Sequence, residues 1–432
     1  MSQDAAAIRE AWWRDGCPWL ILFRVFGVAV SIHVLFLASV AVVVTSGIWR
    51  AADAVFPTQA ADGTAAVTEE YRLANRCSLS RWPGHRCHAA DCCRPNPLME
   101  WAAREGVRLP PAPLDPVIGV PTQLALPLVR LFHRHRGWRE NGYLFFGGLG
   151  SLLVWSLFGG AISRIAAMQL ALHQRVRLHD ALSHARLKFP AYVGAPLFSM
   201  AVIAGIALPM MALGWLMLTD FGIFVSGLLW FAVIVGGILM TIGAVGLLFG
   251  WPLMWGALGC ECSDAFDAIS RSYAYTFQRP LHFLFYALLA AALGTLGWLV
   301  VWGFSETVIS ITYWGASWGA GAERIETLVA VANSSTAGTL TEAGEEVGPS
   351  GMFSAGARCV AFNVATVRSV ATGFSYSYFW CAATAIYLLL RLSTDATELD
   401  EVDVDVDEDT TLGLPELEGF ENGVPGFSDN QQ

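Results

Sequence analysis

Charge is scarce in this sequence. Only 14% of its 432 residues are Asp, Glu, Lys or Arg, against roughly a quarter in an average soluble domain. Lysine is almost missing, Lys188 being the single one. This scarcity excludes a soluble globular enzyme and a mostly disordered chain. It also excludes a nucleic-acid binder, which needs a broad basic face. Catalytic signatures are missing as well. No P-loop, Gly-rich dinucleotide turn, HExxH helix or Ser/His/Asp arrangement stands in a credible context. No catalytic residue, cofactor or metal ion is therefore assigned. What the chain has instead is 55% hydrophobic residues, 17 Trp and a mean hydropathy of +0.49. That composition describes a polytopic membrane protein, with indole rings supplied for many membrane–water interfaces.

The charge that exists is unevenly placed. Thirteen of the 36 acidic residues follow Arg391, where there is no Lys or Arg. The other 23, against 26 basic residues, leave the body at +3. The stretch from Ser393 is polar, acidic and repetitive (EVDVDVDEDT) and cannot bury enough apolar surface to offset chain entropy, so 392–432 reads as a disordered acidic tail. The N-terminal segment carries Arg9, Arg14 and Arg24 before an apolar run too long for a cleaved leader, and reads as a retained signal anchor.

Six stretches are long and apolar enough to cross a bilayer, which takes about 20 residues. They are Phe26 to Trp49, Leu144 to Gln169, Tyr192 to Leu218, Phe224 to Phe249, Leu281 to Phe304 and Val370 to Leu390. The expected organisation is a first span in 1–49, a Cys-containing extracytoplasmic loop over 50–143 and a membrane domain over 144–304. A second extracytoplasmic loop (305–369), a last span (370–391) and the tail follow. Arginines in the short connectors place both termini in the cytoplasm of a multi-pass cell-membrane protein. Arg130, Arg134, Arg136 and Arg139 run against that rule, but they belong to a long loop where it weakens. With Leu124, Leu128, Leu131 and Phe132 they suggest an amphipathic helix on the outer surface.

One pattern occurs twice. HDALSHARLKFPAYVGAPL and DAFDAISRSYAYTFQRPLHFLFYAL both place Asp-Ala-(Leu/Ile)-Ser before a His or Arg, and a proline soon after (Pro190, Pro280). Each copy is amphipathic at helical period. Leu178, Leu182, Ala185 and Phe189 oppose Arg177, Asp180, His184 and Lys188. Phe266, Ile269, Tyr273 and Phe277 oppose Asp264, Asp267 and Arg271. The unit is span, cytoplasmic surface helix, span, used twice in the same sense: a parallel internal repeat. The basic residues that would meet anionic lipid are Arg175, Arg177, Arg186, Lys188, Arg271 and Arg279. The alternative is that both helices pack beneath the bundle and cap it.

The second copy, DAISRSYAYTFQRPLHFLFYAL, resembles a helix-before-span pattern of bacterial inner-membrane proteins. These are the YciC-type group and the membrane domain of some glycerophosphodiester phosphodiesterases. The resemblance covers Gly159 to Phe304 and implies a polytopic membrane domain. No stretch is polar and long enough to hold the soluble phosphodiesterase, so the likeness implies architecture and not activity.

The first long loop holds Cys77, Cys87, Cys92 and Cys93 among His85, His88 and Asp91. On the outer side these thiols are expected to oxidise, as Cys77–Cys92 with Cys87–Cys93 or as Cys77–Cys93 with Cys87–Cys92. Zinc is the rival, with a spacing that fits no standard finger. Cys260 and Cys262 flank Glu261 and read as small interfacial residues. His173, His179 and His184 near Asp180 read as a wet helix face. Inside the spans, ionisable groups are few: His33, expected as a satisfied interior group, and Arg164, expected as an anchor or inter-helix partner. Gly246-x-x-x-Gly250 predicts close helix packing within the chain. The sequence thus predicts an all-α bundle of about six spans with the lipid bilayer, and anionic lipids in particular, as its partner. Its expected role is a non-catalytic one at the membrane or envelope; a transporter or channel for a small solute or lipid is the alternative.

Overall fold

The computed structural model describes residues 18–56, 120–121, 124, 138–337 and 351–402. Cys77, Cys87, Cys92, Cys93, most of the expected outer amphipathic helix and the tail beyond residue 402 lie outside them. Among the described residues every regular element is helical, and six helices are long and apolar enough to cross a membrane. The protein is an all-α polytopic membrane protein.

A short helix, α1 (Ile21–Ala29), breaks at Val30 and Ser31 and restarts as α2 (Ile32–Val55). Next come α3 (Trp138–Ala171), α4 (Leu178–Leu187), α5 (Phe189–Leu216) and α6 (Asp220–Leu228). The chain continues through α7 (Trp230–Glu261), α8 (Ala265–Gln278), α9 (Pro280–Ala320), α10 (Ala322–Ala337) and α11 (Gly351–Asp395). The spans are α2, α3, α5, α7, α9 and α11. They form because a chain in hydrocarbon must satisfy every backbone N–H and C=O within itself. Alternation of six spans brings α1, α4, α8 and the end of α11 to one end of the bundle, called here the basic end.

Local chemistry sets the boundaries. Pro190 and Pro280 stand in the first turns of α5 and α9, where a missing N–H costs nothing. Cys262 takes a left-handed conformation, φ 49°, and ends α7. The Thr219 hydroxyl accepts from the Gly222 N–H at 3.1 Å and caps α6. Gly222 has no substitute there, because a Cβ would overlap the Leu216 carbonyl. Pro196 inside α5 deprives the Tyr192 carbonyl of its usual donor, and the Trp255 indole N–H of α7 replaces it at 3.0 Å.

α11 is the hub, and its Ala371–Leu390 stretch is almost wholly buried. Its aromatic side chains fill the centre. Trp155 stacks on Tyr376 with centroids 4.5 Å apart, Trp255 stacks on Trp380 at 4.2 Å, and Trp251 meets Trp255 and Trp380 edge-on. By contrast, α5 and α7 leave the bundle towards the opposite end and expose most of their apolar surface. The expected packing of Gly246 and Gly250 is intramolecular. Tyr273 lies on Gly246, and the Ser272 hydroxyl donates to the Gly250 carbonyl at 2.6 Å.

Several boundaries differ from those read in the sequence. Phe224 belongs to α6, and the fourth span begins only at Trp230 and runs on to Glu261. Within the connection over 305–369, the described residues 305–337 and 351–369 are almost wholly helical. The last two spans sit within helices of 41 and 45 residues, about 61 and 67 Å long against a hydrocarbon core of about 30 Å. Arg368 of α11 pairs with Glu306 of α9 at 2.9 Å in this extension.

Candidate functional site: an ion cluster at the basic end

α7 ends in Gly259-Cys260-Glu261, and three other elements converge on it. α3 crosses so closely at Gly259 that a Cβ there would stand 3.0 Å from the Ser163 backbone. Arg164 of α3 donates to the Gly259 carbonyl at 3.0 Å, one of the carbonyls a helix end leaves without a partner. Arg24 of α1 does the same for α3, donating to the carbonyls of Gln169 (3.1 Å) and Leu170 (3.4 Å). Cations at helix C-termini also meet the negative end of the helix dipole.

Glu261 is the centre of the cluster. Its side chain is 10% exposed and meets Arg271 of α8 at 2.5 Å and Arg391 of α11 at 3.2 Å. The Tyr387 hydroxyl donates to it at 2.7 Å. Arg391, 9% exposed, also donates to the Glu401 carbonyl at 2.6 Å. Arg271 donates to Asp267 one turn earlier at 3.0 Å. The Tyr275 hydroxyl of α8 donates to Asp395 of α11. Burial, and then the Asp395 carboxylate, push the Tyr275 phenol above the usual tyrosine range, so it stays a donor at neutral pH. Leu399 and Val402 pack into the core and hold the root of the acidic tail here.

On the α4 side, His184 is buried edge-on to Tyr192, with its Nδ1 3.9 Å from the Cys262 sulfur. Aligned positions of the two copies of the motif share burial. Ala181 and Ala268 are buried, as are Ala185 and Ser272, while Ser183 and Ser270 are exposed. His184 and Arg271, which also align, both reach the end of α7.

The cluster is a charge-matched knot: one carboxylate is shared by two guanidinium groups and a phenol. Among the described residues no group of three His, Cys, Asp or Glu could hold a metal ion. The arrangement ties α7, α8 and α11 to the tail root.

The expected site residues divide into two sets. Arg164 is buried and joins α3 to α7, as an inter-helix partner would. His33 is exposed on the outer face of α2, not interior. The break at Val30 and Ser31 resets the register so that Val34, Leu37, Ala38 and Ala41 turn inward instead. Arg271 is committed to Glu261 and Asp267, though 39% of its side chain remains exposed. Arg175, Arg177, Arg186 and Arg279 are exposed and Lys188 half-buried, and none of the five forms an ion pair among the described residues. The apolar stripe of α8 divides: Ile269 and Tyr273 pack against the bundle, and Phe266 and Phe277 stay largely exposed, at 64% and 45%. Ala268, Ser272, Tyr275 and Thr276 are buried. Gly250 of α7 receives Ser272 and Thr276 closely, and Gly246 receives Tyr273 and the edge of Phe277.

Glu261 was the functional residue hardest to see in the sequence. Its only signals are an acidic residue closing a long apolar run and an arginine, Arg391, closing another. No protein-family model, no curated protein and no solved structure matches the chain.

Proposed function

We propose that this chain is a non-catalytic integral membrane protein that acts on the bilayer itself, meeting anionic headgroups through α4 and its neighbours at the basic end. One observation carries the reading. Exposed Arg175, Arg177 and Arg186 alternate with exposed apolar side chains, Leu187 on α4 and Phe266 and Phe277 on α8, while Arg24, Arg164, Arg271 and Arg391 are engaged internally. Free cations beside free apolar groups suit the boundary between headgroups and acyl chains. The arginine distribution supports a cytoplasmic position for this end, where the leaflet is negatively charged. The two copies of the Asp-Ala-(Leu/Ile)-Ser motif, and their likeness to the YciC-type group, agree with a repeated membrane unit. Trp155, Trp255 and Trp380 cluster at the buried centre of the bundle, which favours a packed core over a polar path for a transporter or channel.

The test is lipid enrichment around protein extracted in polymer-bounded nanodiscs. The triple variant R175Q/R177Q/R186Q should lose the excess of phosphatidylglycerol over bulk composition, each arginine near the surface being worth about 1 kcal/mol. Unchanged enrichment in a folded variant defeats the reading. Reporter fusions at Gln432 and within 50–141 should report opposite compartments.

A further inference from the structure

α9 carries Phe283, Ala287 and Ala291 one turn apart, and Arg279 stands at its N-cap, four residues before Phe283. Phe283, Ala287 and Ala291 line a cleft of about 140 Å³ between α7, α9 and α11. Every lining residue is apolar or aromatic, and the cleft is partly open to the outside. Its floor is alanine from two helices, Ala287 and Ala291 facing Ala383 of α11, so no side chain fills the space between the backbones. Phe249 and Phe283 meet edge-on at 6.0 Å and form one wall. Tyr378 bounds the cleft as well, its ring fixed by donation of its hydroxyl to the Ala290 carbonyl at 2.8 Å. Pro252 of α7 also lines the cleft and interrupts the hydrogen-bond ladder of that helix.

The volume is close to the roughly 150 Å³ of an apolar cavity that stays dry and takes up benzene. It therefore holds a run of about six carbon atoms. Spanning helices bring the open side of the cleft against hydrocarbon, so the material on offer is an acyl chain. What distinguishes one lipid from another is the cation one turn before Phe283. Arg279 is exposed and forms no ion pair among the described residues.

We infer that the cleft between α7, α9 and α11 is a discrete lipid site, holding part of one acyl chain of an anionic phospholipid whose phosphate is met by Arg279. The site deepens the reading above and rests on it for the class of ligand. It differs in being a single built position away from the α4 surface.

The full chain in micelles is titrated with phosphatidylglycerol and with phosphatidylcholine of the same acyl chains, and bound lipid is counted by native mass spectrometry. The wild type should retain one phosphatidylglycerol more tightly than the rest. Filling the cleft from either wall, with A291F on α9 or A383L on α11, should weaken that one site at least tenfold. R279Q changes an exposed side chain and leaves the packing alone. It should reduce the preference over phosphatidylcholine by about fivefold. The variant R175Q/R177Q/R186Q should keep the tight lipid while losing bulk enrichment. Retention of the tight lipid in both filled variants overturns the inference, and its loss in the α4 triple variant alone assigns it to the surface instead. An unchanged preference in R279Q overturns the assignment of the headgroup. Bulk enrichment unaffected by the triple variant, with the tight lipid behaving as expected, sinks the surface reading and leaves the site standing.

Discussion

Replacing Glu261 by Gln tests the ion cluster most directly. The substitution keeps size and one acceptor but removes the charge that Arg391 and Arg271 share. The two arginines should respond differently. Arg391 is 9% exposed, and stripping the partner from a buried ion typically costs about 3–5 kcal/mol. It keeps its bond to the Glu401 carbonyl at 2.6 Å, which places the loss near the bottom of that range, about 3 kcal/mol. Arg271 is 39% exposed and still has Asp267 at 3.0 Å, so its share is about 0.5 kcal/mol after solvent screening. E261Q should therefore lose about 3–4 kcal/mol, and R271Q alone no more than about 1. Removing the stranded cation as well, in E261Q/R391M, should recover at least half, because most of the loss is the cost of one buried charge left without its partner. Reversible unfolding in mixed micelles, followed by tryptophan fluorescence, measures all four proteins. A loss below about 1 kcal/mol for E261Q, or equal losses for E261Q and R271Q, would show that the cluster is solvated and does not hold the helices together.

Four further outcomes are expected. W255F should cost about 1–2 kcal/mol more than W380F in the same unfolding assay, since both shorten the stack but only the first leaves the Tyr192 carbonyl without a donor. G259A should lose about 1–3 kcal/mol because its Cβ meets Ser163 and Arg164 backbone atoms that cannot yield, whereas G303A, with nothing within 4 Å, should be neutral or slightly stabilising. Tyr275 has its phenol raised by burial and by Asp395, so its contribution is complete below tyrosine's ordinary value of about 10 and fades as pH climbs above it. Thermal midpoints of the wild type should thus fall more steeply above pH 10 than those of Y275F. Maleimide should label Cys359 in the folded protein and leave buried Cys260 and Cys381 unmodified, and reduction should add label at Cys77, Cys87, Cys92 and Cys93. Full labelling of those four without reductant would refute the expected disulfides.

The amino-acid order alone determined the class of this protein. A bilayer accepts only self-satisfied backbone, so six apolar runs of sufficient length are six spanning helices in almost any arrangement. The breaks at Pro190 and Pro280, and the close packing at Gly246 and Gly250, are equally local and were legible, although that each proline begins the next helix was seen only in the structure. So was the service of Arg164 to another helix, because an arginine within an apolar run must find a partner. Tertiary structure decided the rest. The register of α2 after Ser31 turned His33 outward, and no periodicity of apolar residues reports a break that short. How α8 packs depended on glycines in α7: Gly250 receives Ser272 and Thr276, and Gly246 receives Tyr273, so the buried face runs across both stripes. The extensions of α9 and α11 are joined by Arg368 and Glu306, which stand 62 positions apart. Glu261 is the clearest case. Between two cysteines it reads as an ordinary interfacial residue, and its partners stand 10 and 130 positions away. Composition and periodicity record what each segment needs from its solvent. Only the packed bundle specifies which segments supply charge to one another.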